Sequence, residues 1–562
     1  MRADEPGPPG GPPAHPLSPS TDQGRPPIAT QPAQPHQSLR RAVSPWGSYT
    51  WGYADVGADI YIALGLVLAA AEGLANVAFL FAGLIYVTVG LAYTELSAMY
   101  PLAGGGQLFV LRGLGDFWGF VAGWAVLLDF TIDIALFAFG SAGYIDHFFP
   151  GLSRPPWIII QSIGLVVFLC ALNVLGVRES SRLNELAAGL DICVETTLIF
   201  IGFLFAFNPA FYVHQVSFTF THLSVPHLLF GTSLAIISFV GLESISQAAQ
   251  ETERPTTVIP RTSVALILTI LVYAMALSNL GLGVVHWQTY DPSSHAFCGH
   301  LTHSACSAVH AAHQNAPVAW LAVNLPFVGS FIGPVIAILG ALLLLISSNA
   351  GVYGSSRIMY SMARNNLTPQ FFTYVQPRFR TPVISLVVFS AIAVAELIFA
   401  GLTPNALTTL GDMYAFGAAT SYTLVFCSLL TLRFTDPDTP RSFRVPWNVD
   451  IRRGKETYQL PIVGVLGLMG IFSVLLMVII THPIGRVAGP VWIALGLVGF
   501  YFYRRRRKLP VLQSVHRDWP SEQLAVYEES GEHELAEEYR EALRRRHRRD
   551  DPAALRGGAP RV

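Results

Sequence analysis

Runs of eighteen or more apolar residues recur along most of this 562-residue chain. As a helix, each run is long enough to cross a hydrocarbon core of about 30 Å. Twelve such spans are expected, at roughly 50–72, 75–98, 116–146, 156–176, 184–207, 227–247, 263–286, 331–362, 383–401, 405–432, 460–481 and 487–503. Composition agrees: 13% of residues are charged and 52% hydrophobic, against about 25% charged in soluble proteins. Mean hydropathy is +0.46. The expected fold is therefore all-α and integral to a membrane. Cys170, Cys193 and Cys427 fall inside spans, where a small buried hydrophobe is the ordinary role.

Residues 1–45 are rich in Pro, Gly, Ser and Gln and contain no apolar run. Such a composition buries too little surface to offset chain entropy and is expected to be disordered. The division that follows is a core over 46–432, a cytoplasmic loop with the last two spans over 433–503, and a charged tail over 504–562.

Basic residues set the orientation. Alternate loops carry Arg112, Arg178 and Arg182, Arg254 and Arg261, Arg364 with Arg378 and Arg380, and then Arg433 to Lys455. The tail opens with Arg504 to Arg507, whereas the opposite loops hold only Arg154 and Arg486. Both termini are expected on the cytoplasmic side. The basic residues include only two lysines, Lys455 and Lys508, an arginine bias that fits a GC-rich bacterial genome and hence a bacterial cytoplasmic membrane.

The first span is interrupted by Val56-Gly57-Ala58-Asp59 and the sixth by Phe239-Val240-Gly241-Leu242-Glu243. Five spans per unit would place two units in opposite topology, a 5+5 inverted repeat followed by two extra helices. Paired broken helices in such halves point to a substrate site at the membrane midplane. Glycines that merely let helices pack closely are the plainer explanation, but a carboxylate stands beside each break.

Acidic residues recur inside the spans: Asp55 and Asp59 on the first, Asp129 and Asp133 on the third, Asp191 and Glu195 on the fifth, Glu243 on the sixth. Arg357, near the cytoplasmic end of the eighth, is the basic exception. A charge at the bilayer centre costs at least about 2.5–3.5 kcal/mol, so these residues are expected to have a role. Asp129/Asp133 and Asp191/Glu195 are i, i+4 pairs and share a helix face. Two carboxylates that close in low dielectric cannot comfortably both ionise, which suits a proton acceptor or a cation site. The plainer explanation is a carboxylate accepting hydrogen bonds from neighbouring spans.

Several stretches resemble the amino acid–polyamine–organocation permease superfamily, over roughly 50–445. Gly57-Ala58-Asp59-Ile60-Tyr61 is similar to its unwound first-span segment. Tyr93-Thr94-Glu95-Leu96-Ser97 through Gly104-Gly105-Gly106, continued by Phe117-Trp118-Gly119, resembles its second-span signature. Phe239 to Ser244 with Glu251-Thr252-Glu253-Arg254-Pro255 and Ile259-Pro260-Arg261 resembles the sixth span and its exit. Ser348-Asn349-Ala350-Gly351, Ser356-Arg357, Tyr360 to Arg364, and Arg441-Ser442-Phe443-Arg444-Val445-Pro446 follow in the family's order. The resemblance implies a secondary-active transporter of amino acids working by alternating access. Backbone amides around Gly57 and Ala58 would meet the substrate's anionic end, as helix N-termini favour anions. Asp59 and the segment Ser238, Phe239, Val240 and Gly241 would complete the site, with Phe137 as an aromatic wall. Asp55, Asp129, Asp133, Asp191, Glu195 and Glu243 would serve proton or ion coupling.

Two departures from the family pattern bear on the substrate. Asp59 stands where the family usually has a small residue, and Asp191 and Glu195 stand where some proton-coupled members carry a lysine. An acidic cradle welcomes an amine or an alkali cation. Tyr53-Ala54-Asp55-Val56-Gly57 also resembles the opening of the KUP-type potassium permeases. Potassium–proton symport and polyamine or organic-cation transport are therefore the alternatives.

The exterior loop before the eighth span holds His295, Cys298, His300, His303, Cys306, His310 and His313. Their spacing fits no established zinc signature well, and a Cys298–Cys306 disulfide among solvated histidines is the simpler account. Glu529 to Arg549 reads as a helix, acidic first and basic last, as the helix dipole favours. It is expected to be solvated, with lipid headgroups as the alternative partner of Arg544, Arg545, Arg546, Arg548 and Arg549. The sequence contains no phosphate-cradling loop, nucleophile elbow or metalloprotease helix, so no enzyme, metal or cofactor is expected. A channel would need a continuous pore-lining stripe. The expected partners are a small solute, a coupling proton and the lipid bilayer, with no nucleic acid.

Overall fold

The computed structural model describes residues 43–550, apart from 103, 153, 177–179, 222–224, 242, 250–251, 285–289, 292–295, 298–314, 404 and 454–455. The expectations for most of the N-terminal segment and for the His/Cys loop lie outside the described residues. What is described is almost entirely helical: α1 (Pro45–Val56), α2 (Ile60–Ala71), α3 (Ala75–Met99), α4 (Gly105–Leu114), α5 (Asp116–Ile145), α6 (Trp157–Leu175), α7 (Ser180–Ile201), α8 (Pro209–Thr221), α9 (Val225–Ala235) and α10 (Glu243–Ala248). These are followed by α11 (Pro255–Gly283), α12 (Pro317–Val323), α13 (Gly329–Arg364), α14 (Val383–Gly401), α15 (Ala406–Thr435), α16 (Ile462–Thr481), α17 (Gly485–Arg506), α18 (Trp519–Glu529) and α19 (His533–Asp550). Two small antiparallel hairpins, β1 (Tyr290–Asp291) with β2 (Ala296–Phe297) and β3 (Asn448–Arg453) with β4 (Glu456–Pro461), are the strands among the described residues.

Eleven helical segments among the described residues are long and apolar enough to cross a bilayer. The first, Pro45–Met99, is 55 residues long, about 80 Å at 1.5 Å per residue and far more than one crossing needs. It turns sharply at Glu72, where φ is +52° between α2 and α3. Local chemistry fixes several helix ends. The Ser44 hydroxyl accepts from the Gly47 amide at 3.0 Å and Pro45 occupies the first turn of α1. Gly176, in the left-handed region at φ +70°, stops α6.

Burial sorts the helices into centre and rim. Nearly all of the apolar stretch of α5 is covered by protein, whereas α6, α7, α16 and α17 leave most of theirs outward. On α16 the outward side chains are Leu466, Met469, Phe472 and Leu476, a stripe at helical spacing that suits lipid. The 36-residue α13 lies along α5, α3 lies along α11, and α15 packs across α5. α2 packs on α9. The elements that carry the two interruptions therefore meet at the centre of the molecule.

Candidate functional site

The site is built from the two interruptions. α1 ends at Val56, Gly57–Asp59 form a tight 3-10 turn with right-handed backbone throughout, and α2 resumes at Ile60. This first break is a tightening of the helix, and Gly57 leaves room there for the Tyr53 ring, which would lie 3.1 Å from a Cβ. The second break is deeper. Ile236–Phe239 form a 3-10 turn, Val240 is extended (φ −84°, ψ 157°) and Gly241 sits at φ +110°. It starts three residues earlier than the sequence suggests. The two turns touch.

Asp55 lies where the first break, the second break and α13 meet. Its Oδ1 accepts the Ser347 hydroxyl at 3.1 Å, and a Cβ on Gly241 would come within 3.0 Å of its Oδ2. Gly57, Ala58, Asp59, Ser238, Phe239 and Val240 are all buried around this point. The Phe239 ring turns toward α3, stacked on Tyr86 with centroids 5.0 Å apart, and so packs the second break against α3. Glu243 opens α10, and its side chain lies outside what is described.

The third-span residues face α13 and α15. Asp133 receives a long contact, 3.4 Å, from the Tyr414 hydroxyl of α15. Gly351 of α13 leaves no room for a side chain against Asp133 Oδ2. One turn on, Phe137 is fully buried with its ring edge-on to Tyr414 at 6.0 Å. Asp129 is buried where Gly417 lets α15 approach the α5 backbone. Tyr414 thus covers both expected features of α5, the carboxylate and the aromatic wall.

The most complete constellation joins α7 to the first span. Asp191 and Glu195 are buried one turn apart. The Tyr53 hydroxyl lies 2.8 Å from Asp191 Oδ2 and 2.9 Å from Glu195 Oε2. The Tyr61 hydroxyl donates to Asp191 Oδ1 at 2.5 Å. The Tyr61 carbonyl in turn accepts from Tyr144 of α5 at 2.7 Å. Tyr53 and Tyr61 stand four residues before and after Gly57, so one acidic pair holds both sides of the first break.

Hydrogen-bond stoichiometry makes this cluster chemically pointed. A phenol carries a single proton, so Tyr53 cannot donate to two carboxylates at once. If both were ionised, one oxygen would face a tyrosine lone pair. One proton on the pair, carried by Glu195 Oε2 and donated to the Tyr53 oxygen while Tyr53 donates to Asp191, would satisfy these three hydrogen bonds.

Sequence reasoning missed several groups. Tyr53 and Tyr61 were visible only as motif letters, although their common i ± 4 spacing from Gly57 puts them on one face. Glu396, inside the ninth span, is buried and lies 3.0 Å from the Thr131 hydroxyl. Asp412 of α15 is 3.0 Å from His482 Nδ1, and His482 Nε2 is 2.6 Å from the Ser233 hydroxyl. The rule that found the other intramembrane carboxylates applies equally to Glu396 and Asp412. Arg357 lies over the Tyr353 ring at 3.8 Å. Among the described residues, no group of three or more His, Cys, Asp or Glu gathers as a metal site.

Residues 52–502 match the amino acid permease family along most of the chain, both interruptions included. The chain belongs to that family. Similar proteins include the branched-chain amino acid permease BcaP of Bacillus subtilis (strain 168), 23% identical over 84% of this chain and 94% of its own. Cationic amino acid transporter 4 of Mus musculus is 26% identical over 72% of this chain and 62% of its own. The low-affinity putrescine importer PlaP of Escherichia coli (strain K12) is 24% identical over 81% and 91%. The permease is thus a multi-span membrane protein whose family and similar proteins are transporters rather than enzymes.

Proposed function

We propose that this permease moves amino acids across a bacterial cytoplasmic membrane by alternating access, and that protons drive the movement. The observation that carries the reading is the Asp191–Glu195 pair hydrogen-bonded to Tyr53 and Tyr61 on either side of the first break. Loading one proton onto the pair satisfies both tyrosines and holds the break in its present shape. Losing it leaves two buried like charges one helical turn apart, which repel strongly where the dielectric is low. The proton's presence is thereby linked to the conformation of the segment that would meet substrate.

The rest of the reading follows the family. Divided at Glu72, the first segment supplies two crossings and brings the count to twelve, with both termini cytoplasmic by the arginine distribution. Breaks in the first and sixth crossings suit two inverted units of five. Substrate would lie between Gly57–Asp59 and Ser238–Gly241, walled by Tyr414 and Phe137. Buried Asp55, Asp59 and Asp133 around that space favour a substrate that brings a positive charge, a cationic amino acid in particular.

The test is reconstitution in liposomes loaded with a pH-sensitive dye, with L-arginine, L-leucine, putrescine and potassium added outside one at a time. Acidification with an amino acid is the expected result. The Glu195→Gln variant should retain binding and lose the pH dependence of uptake. Unchanged pH dependence in that variant sinks the coupling role, and acidification with potassium alone sinks the amino acid reading.

A further inference from the structure

The match to the permease family ends at residue 502, yet the chain beyond it is not a loose appendage. Arg504, fully buried at the end of α17, pins the start of the tail by donating to the carbonyls of Pro510 and Gln513. The same guanidinium donates to Asp116 Oδ2 at the start of α5 at 2.7 Å. Arg517 donates to the other oxygen of Asp116 at 2.6 Å and to the Asn365 carbonyl, just past α13, at 2.7 Å. The Ser514 hydroxyl and the Val515 amide complete the clasp on Asp116.

The tail then crosses to a second pair of helices. Gln523 of α18 is buried and donates to the Met99 carbonyl at the end of α3 at 2.9 Å. Arg112 of α4 donates to Gln523 at 3.0 Å, its guanidinium held between the rings of Tyr100 and Trp519 at 4.2 and 4.7 Å. Beyond α18, Glu532 accepts the Thr256 amide at 3.2 Å at the start of α11, and its carboxylate meets the Thr256 hydroxyl. Tyr527, Ala536 and Tyr539 lock α18 and α19 into one unit. Burial pushes the Tyr527 hydroxyl well above its ordinary pKa, so it stays neutral within that unit.

We propose that residues 504–550 form a strap that ties the cytoplasmic ends of α5 and α13 to those of α3 and α11, and that this strap must loosen before the permease opens to the cytoplasm. α5 packs along α13 and α3 along α11, so the strap touches one end of each packed pair. It grips α5 with charge-assisted bonds to Asp116, the stronger class of hydrogen bond, and reaches α3 through a buried amide–carbonyl bond and α11 through the Glu532 carboxylate. A tail that merely capped the protein would need only one of these anchor points. The proposal rests on the alternating-access reading, since only a chain that opens inward has two such bodies to part.

The test is amide hydrogen exchange on the full chain in lipid nanodiscs, comparing wild type with Arg517→Ala and Gln523→Ala. Local opening sets exchange rates in regions such as these. Expected is exchange about tenfold faster at the cytoplasmic ends of α3, α11 and α13 in both variants, with the opposite ends of α2 and α9 unchanged. Faster exchange confined to 509–529, with those helix ends as protected as in wild type, overturns the strap. If Arg517→Ala loosens the whole protein, Gln523→Ala decides, since it removes one carbonyl contact and one arginine contact while leaving Asp116 clasped. The readout needs no substrate. A chain that transports no amino acid yet shows the expected exchange sinks the functional reading and spares the strap.

Discussion

Gly241 stands at φ +110° with Asp55 Oδ2 3.0 Å from where its Cβ would be. A side chain there meets two penalties at once: a backbone region that only glycine adopts without strain, costing about 1–3 kcal/mol, and a contact that displaces a buried carboxylate. Gly241→Ala should therefore lower the unfolding midpoint in detergent and cut uptake more than stability, because Asp55 is pushed away from Ser347. Equal uptake per folded molecule would show that the Asp55 position is not critical. The same residue shows what a sequence can and cannot disclose. Asp55, Asp191 and Glu195 stand out unaided because a carboxylate inside an apolar run is costly. Tyr53 and Tyr61 do not, because a tyrosine in an apolar helix costs little and its hydroxyl partner lies more than a hundred residues away on α7.

Among the elements, the spans were legible because length and hydropathy are local properties: α5, α6, α14 and α16 fall within a residue or two of their expected limits. What joins them was not. Glu95 of α3 accepts from Arg433 at 2.6 Å and from the Val445 amide at 2.7 Å, and Arg441 lies 3.4 Å from its other oxygen. The motifs around Glu95 and around Arg441–Pro446 are thus two halves of one buried joint between α3 and the exit of α15, some 340 residues apart in sequence. Removing one member of a buried ion pair leaves its partner uncompensated and costs about 3–5 kcal/mol. Glu95→Gln should lower thermal stability in detergent by that order, and Arg433→Ala similarly, with the double variant costing less than their sum. Additive losses would show that the two residues do not act together. The tail's anchors stay hidden for the same reason: the charge pattern of α19 fits a solvated helix, most of its charged side chains are exposed, and nothing local announces that Tyr527 and Tyr539 bury against each other or that Gln523 reaches Met99.

For the molecule as a whole, the question is which charge it carries across. Asp55, Asp59 and Asp133 are all buried, Asp55 where the two breaks meet α13 and Asp133 against Tyr414 of α15, and in the proposed reading they flank the substrate. At an effective dielectric near 20, a unit charge pair about 4 Å apart is worth roughly 4 kcal/mol. Even a fraction of that is decisive, since 1.4 kcal/mol is about a tenfold preference. The wild-type chain should therefore take up L-arginine in preference to L-leucine. Asp59 is the carboxylate to remove, because it stands at the turn itself and the family pattern tolerates a small residue there. In Asp59→Gly the ratio of arginine to leucine uptake should fall by about tenfold, with the pH dependence proposed for Asp191 and Glu195 unchanged. A ratio that does not move would assign Asp59 to holding the turn and leave Asp55 and Asp133 as the charges that select the substrate. A lost pH dependence would instead join Asp59 to the coupling cluster, making the substrate site and the proton site one.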